Sequence, residues 1–231
     1  MIIHGLQKTT LLDFPGHVAS TIFFGGCNLR CPFCHNMNLV MNAADEPVIS
    51  EEELFHHLTV RKGILDGVCI TGGEPTLQRD LVPFIKKIKD MGYMVKLDTN
   101  GTNPDVIREL ISESLVDYIA MDIKSSPDKY AEICGLESFD FTPVGNSISL
   151  LKEGSVSYEF RTTMVKEYHN IHTVNAIGEL IDGAKAYYLQ SFVDSDFVPN
   201  HNLHAFEKEE LLDFANILKN HIDIVKLRGV D

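Results

Sequence analysis

The chain has 231 residues, of which 20 are basic and 33 acidic, for a formal net charge of −13. That length allows one α/β domain with a sizeable core, and the acidic balance argues against nonspecific attachment to nucleic acid or to an anionic membrane. Five cysteines, three of them clustered, suit the reducing cytoplasm and not a secreted disulfide framework.

Taken in chain order, the segment Met1 to Lys8 has no signal-peptide layout, and no apolar run approaches membrane-spanning length. From residue 18 onward, strand-like and helix-like segments alternate. Strands are expected at 18–24, 67–71, 93–99, 117–123, 157–165, 186–192 and 223–227; several read as continuous apolar runs, as strands covered on both faces do. Ser50-Glu51-Glu52-Glu53 is a capping box opening a helix to about Lys62. Leu77 to Met91 places Leu81, Phe84, Ile85 and Ile88 on one helical face, and Gly92 stops it. Asn103-Pro104 and Ser126-Pro127 each put a cap residue before a proline at the first helical position. The residues from Ser195 to His204 read as loop, with mobility expected there, and Glu207 to Asn220 is a last amphipathic helix.

This βαβα order implies a parallel sheet with right-handed crossovers. Six or seven units are too few to close an eight-stranded barrel, which leaves a doubly wound open sheet or a laterally open, incomplete barrel. In either, the ligand site falls at the C-terminal ends of the strands.

The first expected strand runs into Gly26-Cys27-Asn28-Leu29-Arg30-Cys31-Pro32-Phe33-Cys34-His35-Asn36, a C-x3-C-x2-C pattern. Three thiolates in one tight loop can hold three corners of a cubane iron–sulfur cluster and leave the fourth iron open to a substrate or cofactor. A structural zinc site needs a fourth ligand; His35 is available, but its place beside Cys34 makes tetrahedral closure awkward. A Cys31–Cys34 redox pair would leave Cys27 without a role. Cys69, inside Val68-Cys69-Ile70, reads as a small buried hydrophobe, Cys134 is given no role, and no second cluster is expected.

Four further motifs end expected strands. In Thr71-Gly72-Gly73-Glu74-Pro75, two glycines allow close backbone approach to a ligand and Glu74 can accept from an ammonium group, although a tight turn with a solvated Glu would read the same. Asp98 in Leu97-Asp98-Thr99-Asn100-Gly101 needs a partner, because a buried unpaired carboxylate is costly. Met121-Asp122-Ile123-Lys124 and Glu159-Phe160-Arg161-Thr162-Thr163 also set charges into strands. One such charge is ordinarily a structural pair; several in successive strands, converging on a cysteine loop, favour a ligand with both an acid and a cationic group, such as an α-amino acid.

With these motifs the chain resembles the radical S-adenosylmethionine (SAM) superfamily, whose signature the cysteine spacing and Phe33 fit. More narrowly it is similar to the glycyl-radical-enzyme activases. Cys34-His35-Asn36, Gly72-Gly73-Glu74, Leu97 to Gly101 and Asp122-Ile123-Lys124 match the pyruvate formate-lyase activating pattern. The opening from Gly5 to Gly16 and the run Tyr158 to Thr163 look closer to the anaerobic ribonucleoside-triphosphate reductase activating proteins. The likeness runs over about residues 2–193, and the segment 195–231 carries little of it.

The resemblance implies a partial (β/α)6 barrel, laterally open, in one domain over 1–231. It implies a [4Fe-4S] cluster on Cys27, Cys31 and Cys34, with SAM chelating the open iron through its amino and carboxylate groups. Phe33 and His35 would lie near the adenosyl group and Gly72, Gly73 and Glu74 near the amino group. Asp98, Asp122, Ile123, Lys124 and Arg161 would line the rest of the pocket. Asp98, Thr99 and Asp122 match positions that hold a monovalent cation beside the SAM carboxylate, and Asp13 a position near the target glycine. The implied reaction is one-electron cleavage of SAM to methionine and a 5′-deoxyadenosyl radical, which takes hydrogen from a glycine of a glycyl-radical enzyme, an anaerobic ribonucleotide reductase being expected. A flavodoxin- or ferredoxin-like protein would donate the electron. The chain departs from one activase type at Val193, where that type has a SAM-contacting histidine, and it lacks the cysteine pairs of an added ferredoxin-like module. A small-molecule radical SAM enzyme of the 7-deazaguanine synthase type and a noncatalytic iron–sulfur carrier are the rival readings; the second leaves the strand-end motifs without purpose.

Overall fold

The computed structural model describes residues 1–230. Eight strands form one sheet: β1 (Ile3–Thr10), β2 (Ala19–Phe24), β3 (Gly67–Gly72), β4 (Met94–Thr99), β5 (Tyr118–Asp122), β6 (Ser157–Met164), β7 (Ala186–Ser191) and β8 (Ile224–Arg228). Their spatial order is their chain order; β2 to β8 pair in parallel, and β1 lies antiparallel on β2. A doubly wound sheet would reverse its order at a switch point. Strict succession of parallel strands, with crossovers of one hand, instead curls into a barrel wall. β8 and β1 are its two edges and do not pair, so the barrel is laterally open. The strands from β2 to β8 are the seven expected, each within one or two residues of its expected ends; β8 adds one parallel strand to the six that the (β/α)6 resemblance implies.

β1 was not expected from the sequence. Half of it, Gln7-Lys8-Thr9-Thr10, is polar and shows no apolar alternation, as befits an edge strand whose outer side meets water.

The helices are α1 (Met37–Met41), α2 (Glu51–Val60), α3 (Leu81–Asp90), α4 (Pro104–Ser112), α5 (Tyr130–Ile133), α6 (Thr142–Lys152), α7 (Ile171–Leu180) and α8 (Lys208–Leu218). Ser50 caps α2, its hydroxyl accepting from Glu53 N at 3.0 Å. α3 starts later than expected, because Pro75–Leu77 forms a separate 3-10 turn. Pro104 and Pro127 do open helical turns, but neither Asn103 nor Ser126 caps with its side chain; Asn103 Nδ2 instead donates to Thr76 O at 2.9 Å. α6 and α7 were not expected. Gly145, Asn146, Ser147 and Ser149 blur the helical period of α6, while Asn170 caps α7 by accepting from His172 N and Thr173 N.

The alternation of each strand divides the molecule in two. Val68 and Ile70, Val95 and Leu97, and Ile119 and Met121 lie fully buried in one core with Phe84, Ile85, Ile88, Ile107 and Leu110 of α3 and α4. Each such side chain contributes roughly 1.5–3 kcal/mol on burial. The intervening residues, Cys69, Lys96, Asp98, Asp122, Glu159 and Arg161, share the opposite, inner face. From β7 to α8 the chain is irregular; Val198 and Leu203 enter the core, and Lys166 N donates to His204 O at 3.0 Å. Among the described residues no helix is long and apolar enough to cross a membrane.

Candidate active site

The cysteine loop leaves the C-terminal end of β2 and is fastened to the neighbouring β3 turn mainly by backbone. Gly73 N donates to Phe24 O and Glu74 N to Gly26 O, both at 2.8 Å. The approach is so close that a Cβ on Gly73 would lie 1.9 Å from Gly26 O. Gly72 has φ +122°, and a Cβ there would lie 2.2 Å from Phe24 O, so both positions require glycine. Asn36, at the far end of the loop, donates to Gly72 O at 3.0 Å. Within the loop the Arg30 guanidinium donates to Cys27 O at 2.6 Å and Leu29 O at 2.8 Å. Cys34 N donates to Cys31 O at 3.1 Å, and Asn100 Nδ2 reaches Cys27 Sγ at 3.7 Å.

All five cysteines are free thiols in the structure. Burial pushes Cys27 up to about 11 and also raises Cys34. Cys31 is drawn down to about 7, first by a hydrogen bond with Cys134 and further by the charge of Lys124. Cys134, given no role from the sequence, thus touches the loop, and its carbonyl accepts from Arg30 N at 2.8 Å. Nothing in the sequence marks it, since a lone cysteine after a short helix carries no spacing signal. His35 does not turn toward the thiols: its Nε2 bonds Val193 O at 2.7 Å, and its ring stacks on Phe192 at 5.8 Å. Phe33 is buried, 6.0 Å from the Tyr168 ring. Among the described residues no three Cys, His, Asp or Glu side chains converge on one point, as a tetrahedral ion would require; a cubane takes each thiolate on a different iron.

Glu74 is buried and hydrogen-bonded, not solvated. Its Oε1 accepts from Thr76 N at 3.1 Å, Thr76 Oγ1 at 2.6 Å and Thr99 Oγ1 at 2.8 Å, and its Oε2 from Asn100 N at 2.7 Å. Burial raises its pKa in spite of these donors. The carboxylate thereby staples the β3 turn to the end of β4.

The inner faces of β4, β5 and β6 carry a continuous chain of charges. Lys96 pairs with Asp98 Oδ1, and Arg161 Nη1 lies 3.1 Å from Asp98 Oδ2. Arg161 Nε pairs with Asp122 Oδ1, and Lys124 Nζ lies 2.8 Å from Asp122 Oδ2. Burial would push both carboxyls up, but the cations outweigh it and hold Asp98 and Asp122 below the usual carboxylate range. Burial likewise opposes the charge on Lys124, and Asp122 overrides it. Lys96 is the member sequence reasoning missed, although Val95-Lys96-Leu97-Asp98 alternates and so places Lys96 on the face of Asp98. Lys96 Nζ also lies 3.7 Å from Cys69 Sγ, so Cys69 faces the charged interior and not the apolar core.

Ile123 is buried at the end of β5, its N–H bonded to Arg161 O at 2.8 Å. Thr99 is separated from Asp98 and Asp122, because its hydroxyl is committed to Glu74. Asp13 follows the edge strand β1 and accepts from Thr21 Oγ1 at 2.6 Å, beside the exposed Leu11 and Leu12. On β6, Glu159 is bound by Arg228, at 2.9 and 3.2 Å, and by the Tyr118 hydroxyl at 2.9 Å.

An open parallel barrel with a three-cysteine loop above its first parallel strand defines a class, and the comparisons agree with it. The model of the radical SAM superfamily matches residues 21–208; the chain belongs to that superfamily, whose enzymes work with a [4Fe-4S] cluster and SAM. Over its whole length it is 33% identical to a candidate glycyl-radical enzyme activating enzyme of Methanocaldococcus jannaschii, covering 97% of that protein. A stretch of 131 residues, 54% of this chain and 53% of the relative, is 34% identical to the pyruvate formate-lyase-activating enzyme of Clostridium pasteurianum. Within the superfamily it therefore groups with the glycyl-radical enzyme activating enzymes. Among solved structures, a domain of a pyruvate-formate lyase-activating enzyme from Bacteroides vulgatus superposes with a TM-score of 0.55 at 16% identity, over 68% of this chain and 98% of that one. SuiB of Streptococcus suis, bound to its precursor peptide, gives 0.70 at 12% identity over 89% and 48%. These two likenesses speak for the fold alone.

Proposed function

We propose that this chain is an activase that removes a hydrogen atom from a glycine of a separate glycyl-radical enzyme, an anaerobic ribonucleoside-triphosphate reductase. In this reading Cys27, Cys31 and Cys34 ligate the [4Fe-4S] cluster, and the open iron takes the amino and carboxylate groups of SAM. One observation carries it: a three-cysteine loop with no fourth protein ligand meets the end of a partly buried ionic chain. Lys124, the last member of that chain, is close enough for its charge to act on all three thiols.

When bound, the cluster and SAM supply one-electron reductive cleavage and hydrogen abstraction. The residues of the chain bind, orient and exclude water. Oε2 of Glu74 accepts one bond and keeps a lone pair for the ammonium of SAM, beside the close backbone of Gly72 and Gly73. The linked charges of Lys96, Asp98, Arg161, Asp122 and Lys124 hold one more cation than carboxylates, a balance suited to the SAM carboxylate. Ile123 is an apolar wall. Phe33 and the stacked His35 and Phe192 hold the adenosyl end, where the carbonyl of Val193 positions His35. Asp13, on the segment that borders the lateral opening, receives the incoming glycine loop. The domain extends over 1–231, since α8 and β8 continue the barrel wall, and a flavodoxin- or ferredoxin-like protein supplies the electron.

The test is to mix the reduced, reconstituted protein with SAM and a candidate reductase without oxygen. A glycyl-radical EPR doublet with an equal amount of 5′-deoxyadenosine is expected. Turnover of SAM with no radical on any partner, together with conversion of a small metabolite, would replace this reading by the small-molecule one. Asp13→Ala should slow radical transfer while leaving SAM affinity as it was.

A further inference from the structure

The positions matching a monovalent-cation site do not fit one in this chain. All four carboxylate oxygens of Asp98 and Asp122 are engaged by cations of the protein itself: Lys96 and Arg161 on Asp98, Arg161 and Lys124 on Asp122. The Thr99 hydroxyl, the third member of the implied set, donates to Glu74 Oε1 at 2.8 Å and accepts from Gly101 N at 3.1 Å, and as the next residue after Asp98 in β4 it lies on the opposite face of the strand. A metal cation entering here would meet three positive side chains and no uncommitted carboxylate oxygen.

Lys96 is the residue that makes the difference. Asp98 and Asp122 already share Arg161, and Lys124 completes Asp122; only Asp98 Oδ1 would remain free without Lys96. The Lys96 side chain is 2% exposed, reaches this oxygen from two residues back on the same face of β4, and has Cys69 as its other polar neighbour. Burial alone would favour the neutral amine, and the Asp98 carboxylate outweighs it and keeps the ammonium charged. An ammonium carries the charge of an alkali ion and is fixed by its own backbone.

We propose that the Lys96 ammonium is the built-in counter-cation of this site, a positioning residue standing in for the metal ion, and that this chain binds SAM without a monovalent metal. The inference rests on the SAM reading of the site given above.

The experiment measures SAM binding to the reconstituted, cluster-loaded protein by anaerobic equilibrium dialysis in potassium, sodium and tetramethylammonium salts at one ionic strength. The wild type is expected to bind equally in all three. Lys96→Met should lose about tenfold in affinity in tetramethylammonium and regain it in potassium, because removal of the ammonium frees Asp98 Oδ1 for the metal; Lys96→Arg should stay indifferent to the salt. A wild-type affinity that rises with potassium would overturn the proposal, and that arm stands even where Lys96→Met does not fold. A folded Lys96→Met that binds SAM as the wild type does in every salt would also overturn it, leaving Lys96 as filling for the barrel. Failure of the wild type to bind SAM in any salt would instead overturn the SAM reading, and this inference with it.

Discussion

The two halves of the site are held by different forces. The cysteine loop and the β3 turn meet through backbone: two hydrogen bonds and a glycine contact too close for any Cβ. The β4 to β6 half is held by side chains, three cations and two carboxylates interleaved inside the barrel. The first arrangement fixes shape and is blind to charge. The second fixes charge, because each ion has its partner within bonding distance. A ligand that must be placed to a fraction of an ångström on one atom while carrying both an ammonium and a carboxylate needs both kinds of support.

The largest test strikes the proposed ligands. Replacing Cys27, Cys31 or Cys34 with Ala should abolish binding of about four irons, read as iron content and the cluster absorption of anaerobically reconstituted protein. Cys69→Ala and Cys134→Ala should keep the cluster.

Next come the buried charges. Arg161→Met removes the cation shared by Asp98 and Asp122; with these side chains 12–25% exposed, the loss falls below that of a fully buried pair, at about 2–3 kcal/mol, measurable by urea unfolding. On the backbone half, Gly73→Ala forces apart Gly73 and Gly26, and overpacking of this kind costs about 1–3 kcal/mol. If Gly73→Ala proved harmless to stability and to iron loading, the close approach would not be what sets the loop.

Acid should separate the halves by sign. Asp98 and Asp122 are held below their ordinary value of 3.8, so their contribution is complete above that value and is lost as the pH falls through and below it. Glu74 is raised above its ordinary 4.5, so the folded state holds its proton more tightly and the β3 turn gains as the pH falls through that region. Urea midpoints measured from pH 6 to pH 2.5 should drop less steeply below pH 4 in Asp122→Asn than in the wild type. Parallel profiles would mean that Asp122 is not the acid-sensitive link.

The smallest effect is expected at Cys134→Ala, a loss of about 1 kcal/mol in thermal or urea stability, with iron content unchanged.

The sequence by itself determined the alternation of seven strands with helices, the cysteine loop at a strand end, and the strand-end charges at Asp98, Asp122 and Arg161. These are local signals: apolar periodicity, residue spacing, and the cost of an ion inside an apolar run, which demands a partner without naming it. Only the tertiary structure decided the rest. Sheet order is a property of long-range pairing, so barrel and doubly wound sheet were equal until β2 to β8 were seen in succession. The edge strand β1 lacks an apolar pattern because its partner supplies the hydrogen bonds that make it a strand. Glu74 read equally as a solvated turn residue; its four donors come from Thr76, Thr99 and Asn100, brought together only by the packing of β3 on β4. Lys96 shows the limit most plainly: alternation put it on the face of Asp98, but that this ammonium takes the last free oxygen of a shared carboxylate depends on Arg161, 65 residues further along the chain, arriving from β6.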